Sequence, residues 1–405
     1  FGSRYLSAQC RGSKPKIGNY RLKLIHLPTL PRFIGISVWL IMLFCNSCEK
    51  RNSRNKHDHT DQREKEIMSW FEQIQLPNGL MPSVENGTVI SLYDNALAAL
   101  VFIENENLAS AEQIFDFFDN KVNQELTQGV GGFSQFRNPM GVPGNHRWMG
   151  DNAWLLIAIN HYHARTGSKK YQHMADEIEK WLLALQDADG GLFAGYDAQS
   201  KLLNYKVTEG NIDAFSAIPG YTPAHSKLLK FLKTDRWSAT NQILISWPDN
   251  PKYLYALDLH PWSYLIFKDF PRETLNAADR FINTQQSASG TAVTGYCFDE
   301  DKDAVWLEGT AQMCLALGRA GLNAQKDFYL NQIDSTFQRS AILSNAGGFP
   351  YATNRGTGYG ADLLWEGADT KPCVSSAAWY LFAKWNFNPF EAGRGKDIPA
   401  IDWFW

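Results

Sequence analysis

Five acidic residues recur in one setting along the 405-residue chain: Asp94 in YDNALAALVF, Asp151 in GDNAWLLIAINHY, Glu209 in TEGNIDAFSAI, Asp258 in LDLHPWSYLIF and Glu308 in LEGTAQMCLAL. Each follows a loop rich in glycine and aromatics and opens an apolar run with little charge, at successive spacings of 57, 58, 49 and 50 residues. A recurrence of that length is a structural period. Carboxylates gathered at one end of such repeats can divide acid and base work, one kept protonated to donate a proton and one ionised to activate water or attack. The competing reading for any single one is a helix cap that satisfies orphan amides, worth about 1 kcal/mol.

The immediate neighbours separate these positions. Asp151 lies in NHRWMGDN, where His146, Arg147, Trp148 and Asn152 place a cation, a stacking ring and polar groups within seven residues. In TEGNID, Glu209, Asn211 and Asp213 stand at i, i+2 and i+4, so Glu209 and Asp213 share a face if the helix has begun there. Glu308 follows Trp306, whereas Asp94 has only NALAAL after it and suits capping or the binding of a substrate hydroxyl. Asp151, Glu209 and Glu308 are therefore the expected catalytic carboxylates. Trp148 and Trp306 are the expected stacking platforms, joined by Trp365 of the glycine-rich loop WEGAD, whose Glu366 and Asp369 stand in for a sixth acidic position. His260 in DLHPW is a base, a ligand for substrate or a structural histidine.

Other motifs point away from metal, nucleotide and serine chemistry. FDEDKD, with Asp299, Glu300, Asp301 and Asp303, lacks the order of a calcium-binding loop and reads as a solvated acidic turn. No nucleophile elbow, phosphate-binding loop or dinucleotide fingerprint occurs, and beyond residue 48 there is no C-x-x-C zinc pattern, so no cofactor and no metal is expected.

Two kinds of helix must position the acids. The runs named above are apolar on every side and so buried on every side; a sixth, CVSSAAWYLFAKW, begins at Cys373. Between them lie segments with a single apolar stripe, such as Ile178, Trp181, Leu182 and Leu185 at i, i+3, i+4 and i+7. Comparable stripes include Phe71 and Ile74; Ile114, Phe117 and Phe118; Leu228, Leu229 and Leu232; Ala278, Phe281 and Ile282; and Leu330, Ile333 and Phe337. Six of one kind alternating with six of the other predict an inner ring of helices within an outer ring. Turn signals at NGLMP, GGFSQF, GGLFAGY, GTAVTGY and GGFPYA predict short strands or hairpins over the rim, with all the acids at one end of the ring.

Composition agrees with a large folded domain. Hydrophobic residues make up 44% and charged residues 20%, with 14 Trp, 16 Tyr and 24 Phe to fill a core or line a groove. The formal net charge of -3 gives no electrostatic case for nucleic acid. Cys297, Cys314 and Cys373 are too few and too widely spaced for a disulfide framework.

The N-terminal part reads as an export signal. Seven basic and no acidic residues up to position 32 precede the uncharged run FIGISVWLIMLF, Phe33–Phe44, which is too short for the roughly 20 residues of a membrane span. CNSC follows and reads as a loose bacterial lipobox, so residues 1–47 are expected to be a signal peptide and Cys48 the lipidated residue, with Cys45 as second candidate. The basic region is overlong and the first residue is Phe1, so translation is expected to start elsewhere. Residues 48–62, including His57 and His59, form a polar tether, and 63–405 a single domain. The protein is expected to be exported and held by lipid on a bacterial membrane, in the periplasm or at the cell surface.

Over about residues 63–390 the alternating helices, together with GDNAW, TEGNID and WLEGTAQ, resemble the six-hairpin glycosidase superfamily. The resemblance implies an all-α (α/α)6 toroid of about twelve helices with short rim hairpins, carrying acidic catalysts and aromatic sugar platforms on its rim. It also implies a glycoside hydrolase acting on an oligo- or polysaccharide. The same toroid carries polysaccharide lyases, sugar epimerases and terpenoid cyclases. A lyase reading draws on Tyr93, Tyr296, His146, Arg147 and His260 as bases or cations, and a non-catalytic glycan-binding lipoprotein is the third alternative.

Overall fold

Helices apolar on all sides build the centre. In the computed structural model, which describes residues 61–267, 269–355, 367, 369–391 and 396–404, six such helices close on one another. They are α2 (Leu92–Glu104), α4 (Met149–Thr166), α6 (Thr208–Ala217), α8 (Leu259–Ile266), α9 (Leu307–Arg319) and α11 (Val374–Trp385). Each packs on the next in that order, and α11 returns to α2. Nearly the whole length of α2, α9 and α11 is buried.

The one-striped segments lie outside this ring, each against one inner helix. They are α1 (Gln62–Ile74) on α11, α3 (Leu108–Asp119) on α2, α5 (Gln172–Ala184) on α4, α7 (Pro223–Phe231) on α6, and α10 (Asn323–Asp334) on α9. The sixth, packed on α8, is a 3-10 helix, Arg272–Phe281, rather than the α-helix that an apolar stripe suggests. Its buried Leu275, Ala278 and Phe281 recur every three residues, the period of a 3-10 turn, and Ile282 already belongs to a strand. Among the described residues, twelve helices thus form a closed double ring, an (α/α)6 toroid.

Trp154, Trp262 and Trp379, from α4, α8 and α11, meet inside the ring. Trp154 and Trp262 pack edge to face at 5.5 Å, Trp262 and Trp379 stack at 6.2 Å, and Phe390 closes on Trp154 at 5.2 Å. Rings that interlock in this way pack the middle of the ring densely.

The strands are short and all antiparallel. GTAVTGY supplies one arm of a local hairpin, Ile282–Gln286 with Ala292–Tyr296. Others pair with the segments that lead into inner helices: Phe136–Arg137 with Ile90–Ser91 before α2, and Gly195–Tyr196 with Arg147–Trp148 before α4. The rim strands therefore fix where the inner helices begin. No helix among the described residues is long and apolar enough to cross a membrane. The leader, Cys45, Cys48, His57 and His59 lie outside the described residues.

Candidate active site

All five recurrent acids stand at the start of inner helices, and the ring brings those starts together around a cavity of about 280 Å³. Asp94, Asp151, Glu209, Asp258 and Glu308 line it, with Asp213 as a sixth carboxylate one turn beyond Glu209 on α6. Tyr93, Trp148, Trp154, Trp262 and Trp306 are among its aromatic walls. The residues capping α4, α6 and α9 are Trp148, Val207 and Trp306, none with a capping side chain, so the acids here are not spent on caps. Glycines make room: a Cβ on Gly150 would stand 3.0 Å from Asp213 Oδ2, and one on Gly210 2.9 Å from Met149 Cε. The starts of α4 and α6 can approach only because both positions are bare.

Glu308 has the fullest set of donors. The indole N–H of Trp379 donates to the Tyr93 hydroxyl at 2.8 Å, so that hydroxyl directs its own proton to Glu308 Oε1 at 2.6 Å. Gln312 Nε2 donates to the same oxygen at 3.2 Å. Asp151 Oδ2 accepts from Gln135 Nε2 at 3.3 Å, and Gln135 Oε1 in turn meets His146 Nδ1 at 3.1 Å. An amide oxygen only accepts, so Nδ1 carries the proton in that pair. Glu209 has no hydrogen-bond partner among the described residues and opens onto the cavity.

Burial moves all six carboxyls upward, because a low-dielectric wall disfavours the charged form. Asp151, Asp258 and Glu308 are each pushed up to about 7 chiefly by burial, with hydrogen-bond donors restraining them. Asp94 lies well above the ordinary range through burial, despite a Ser83 hydrogen bond, with the charges of Glu308 and Asp151 adding. Glu209 and Asp213 are raised well above it by burial, with Asp258 the leading charge against both. The cluster thus retains protons near neutrality, as a carboxylic general acid requires.

His146, Trp148 and Trp306 also reach the cavity, and His146 stacks on Trp148 with ring centres 5.9 Å apart. Other expected residues do not reach it. Asn152 and Asn211, expected to meet substrate, are spent on backbone. Asn152 Oδ1 accepts from Phe133 N at 2.8 Å while Nδ2 donates to Phe133 O and Trp148 O, and Asn211 repeats the pattern with Leu192 and Val207. Arg147 is absent from the lining and donates to Gly144 O at 2.9 Å. His260 lies behind the inner ring, its Nδ1 3.2 Å from Thr274 O and its edge on Phe281, and burial drives its pKa down to about 3. Asp369 does not line the cavity and pairs with Arg355 at 3.9 Å; the start of α11 brings Ser375 instead. Trp365 and Glu366 lie outside the described residues.

Trp154, Trp262 and Gln135 are lining residues that the sequence did not single out, and Tyr93 was named there only as a base for a lyase. A ring directly before Asp94 and the last residues of GDNAW and DLHPW were the available signals. Among the described residues, no group of three or more His, Cys, Asp or Glu side chains is arranged to hold a metal ion.

No protein-family model and no curated protein matches the sequence. Solved structures do share its fold. A wild-type glycosidase superposes with a TM-score of 0.58 at 14% identity, covering 81% of this chain and 97% of its own. A variant of a glycosidase in complex with glucose gives the same figures. Cellobiose 2-epimerase from Bacillus thermoamylovorans B4167 superposes with a TM-score of 0.56 at 10% identity, over 80% of this chain and 97% of its own.

Proposed function

We propose that this cavity is the active site of a glycoside hydrolase acting on an oligo- or polysaccharide. The observation that carries the reading is the set of six buried carboxyls facing one aromatic-walled cavity, proton-retaining near neutral pH and unoccupied by capping duties. Glu209, raised by burial and then by its acidic neighbours, and free of donors among the described residues, is the general acid. Glu308, held by Tyr93 and Gln312, is the ionised partner that activates water or attacks, and Asp151 stands beside them as third catalytic carboxylate. Trp148 and Trp306 are ring platforms. The solved structures that share the fold include sugar-acting enzymes, which supports the substrate class.

Reducing-end release from neutral oligosaccharides tests this. Glu209→Gln, Glu308→Gln and Asp151→Asn are each expected to lower the rate on the order of 10²–10⁴-fold while melting temperature is preserved. If all three stay within tenfold of wild type, the assignment fails and passes to Asp213 and Asp258. A sugar epimerase is the second reading, favoured by the likeness to cellobiose 2-epimerase; conversion without bond cleavage, followed by chromatography of the sugars, identifies it. A lyase acting on a uronate fits poorly, because no Lys or Arg is among the described lining residues. A ligand that binds without yielding any product marks the non-catalytic alternative.

Export and lipid attachment through Cys48 complete the proposal. Cys48→Ser is expected to release the protein from membranes and abolish incorporation of labelled lipid; persistence of both moves the site to Cys45.

A further inference from the structure

We infer that the cavity selects an uncharged, polyhydroxylated sugar ring and rejects the corresponding uronate. This rests on the saccharide reading above and adds the charge class of the ligand. The polar atoms without a protein partner carry the inference. Asp94 Oδ2, Asp213 Oδ1 and Asp258 Oδ1 accept from no described group, and the indole N–H of Trp262 donates to none, while those of Trp154 and Trp306 lean toward Asp213 and Glu308 without completing a well-aligned hydrogen bond. All six side chains line the cavity, and none is more than 6% exposed.

Unmet buried polar atoms are costly, so this arrangement defines what its ligand must bring. An indole N–H only donates, and an ionised carboxylate oxygen only accepts. A ligand carboxylate only accepts, and it would bring a further charge into a cluster that holds its protons because charge is disfavoured there; an ammonium only donates and would leave the indole unmet. A hydroxyl does both. A ring bearing several hydroxyls matches the mixed set, and its apolar faces suit the aromatic walls.

No Lys or Arg among the described lining residues offers an anion a counter-charge. Arg147, beside the lining residue Trp148, donates to Gly144 O instead. Arg137 is locked on Glu125 by two contacts of 3.1 Å with its side chain 1% exposed, so it cannot swing inward without abandoning a buried carboxylate. A uronate would enter a low-dielectric space bounded by six acids, where like charges repel far more than in water.

Matched p-nitrophenyl hexosides and hexuronides of the gluco, galacto and manno series decide the matter, with binding read by ligand-observed NMR and turnover by nitrophenolate release at pH 7. At least one neutral hexoside is expected to bind, with its uronide at least about 30-fold weaker. Asp94→Asn and Asp258→Asn, checked for folding by circular dichroism, are expected to narrow that gap. A uronide that binds as tightly as its neutral partner, or a gap unmoved by both variants, overturns the inference while leaving the saccharide reading in place. Failure of every neutral and anionic sugar to bind takes both down.

Discussion

The inner helices α2, α4, α6 and α9 carry two layers of buried polar side chains, adjacent in sequence and opposite in consequence. One layer, Asp94, Asp151, Glu209 and Glu308, faces the cavity. The other, Asn95, Asn152, Asn211 and Thr310, clasps the backbone of the preceding rim loop at Met81, Phe133, Leu192 and Tyr296. Each clasp residue also donates to the carbonyl four residues earlier, at Ser91, Trp148, Val207 or Trp306. The clasps meet their hydrogen-bonding needs internally, whereas in the acid layer Asp94 Oδ2 is unmet, Glu209 has no partner among the described residues, and all four carboxyls are raised by burial. A satisfied buried amide holds a fold together; a crowded buried carboxyl strains it and is retained for what it can do to a ligand.

Exchanging chemistry within one adjacent pair separates the layers most sharply. Asp151→Asn is expected to remove on the order of 10²–10⁴ in rate on a substrate and no stability. Asn152→Ala takes the side-chain partner from the N–H and carbonyl of Phe133 in the interior, so it is expected to cost about 2–4 kcal/mol while the folded fraction keeps its turnover number. Asn211→Ala should match it, and Thr310→Val should cost less because one hydroxyl does the work of an amide. Chemical denaturation and rates per folded molecule check all four. An Asn152→Ala protein that stays fully stable but inactive would erase the distinction.

The pH dependence of stability should carry the signature of the acidic layer. Asp151, Asp258 and Glu308 titrate near 7 when folded through burial and near 4 when unfolded, so between those values the native state holds more protons. Stability then falls as pH rises through about 4 to 7 and levels off above. The melting temperature is expected to be higher at pH 5 than at pH 8. Below about 4 the trend reverses, as Asp61 and Glu112, held low by their hydrogen-bonded and charged partners against their own partial burial, become protonated. A melting temperature that rises from pH 5 to pH 8 would contradict the burial of the cluster.

Much of the architecture was legible because it rests on local pattern. The all-apolar runs against the one-sided stripes separate inner from outer helices, and glycine-rich turns mark the rim. Two things were not legible. The recurring acids look equivalent in sequence, but aligning the clasp residues shows two registers: Asp94 and Asp151 stand one residue before the clasp, Glu209 and Glu308 two residues before it, with Gly210 and Gly309 at the Asp position. The longer Glu reaches the cavity from the earlier position. The other is closure of the ring, which alone brings Tyr93 of α2 to Glu308 of α9 and Trp379 of α11, and no local pattern encodes a contact across 215 residues. Asn152 and Asn211 were misread for a related reason: an Asn beside an acid looks like a ligand group until the loop it clasps is in view.

Asp258 offers the smallest and most discriminating effect. It stands at the cap position of α8 in a helical conformation, its side chain makes no capping hydrogen bond, its Oδ1 has no partner, and it is 1% exposed. Burial holds its pKa up to about 7, and its charge is the leading one against Glu209. Asp258→Asn keeps the shape and removes the charge, so it is expected to stabilise the protein most at pH 8, less at pH 5, where the unfolded carboxyl is ionised and the native one is protonated, and by nothing measurable below about pH 4, where both are protonated. The same change relieves Glu209 of its nearest like charge and lowers the pKa of the proposed acid. The alkaline limb of the pH–rate profile should therefore move to lower pH, whereas a purely structural Asp258 would leave that limb in place and lose stability at both pH values. Stabilisation that grows from pH 5 to pH 8 together with a displaced alkaline limb assigns Asp258 to the acidic layer; loss of stability at both pH values with an unmoved limb assigns it to the clasps.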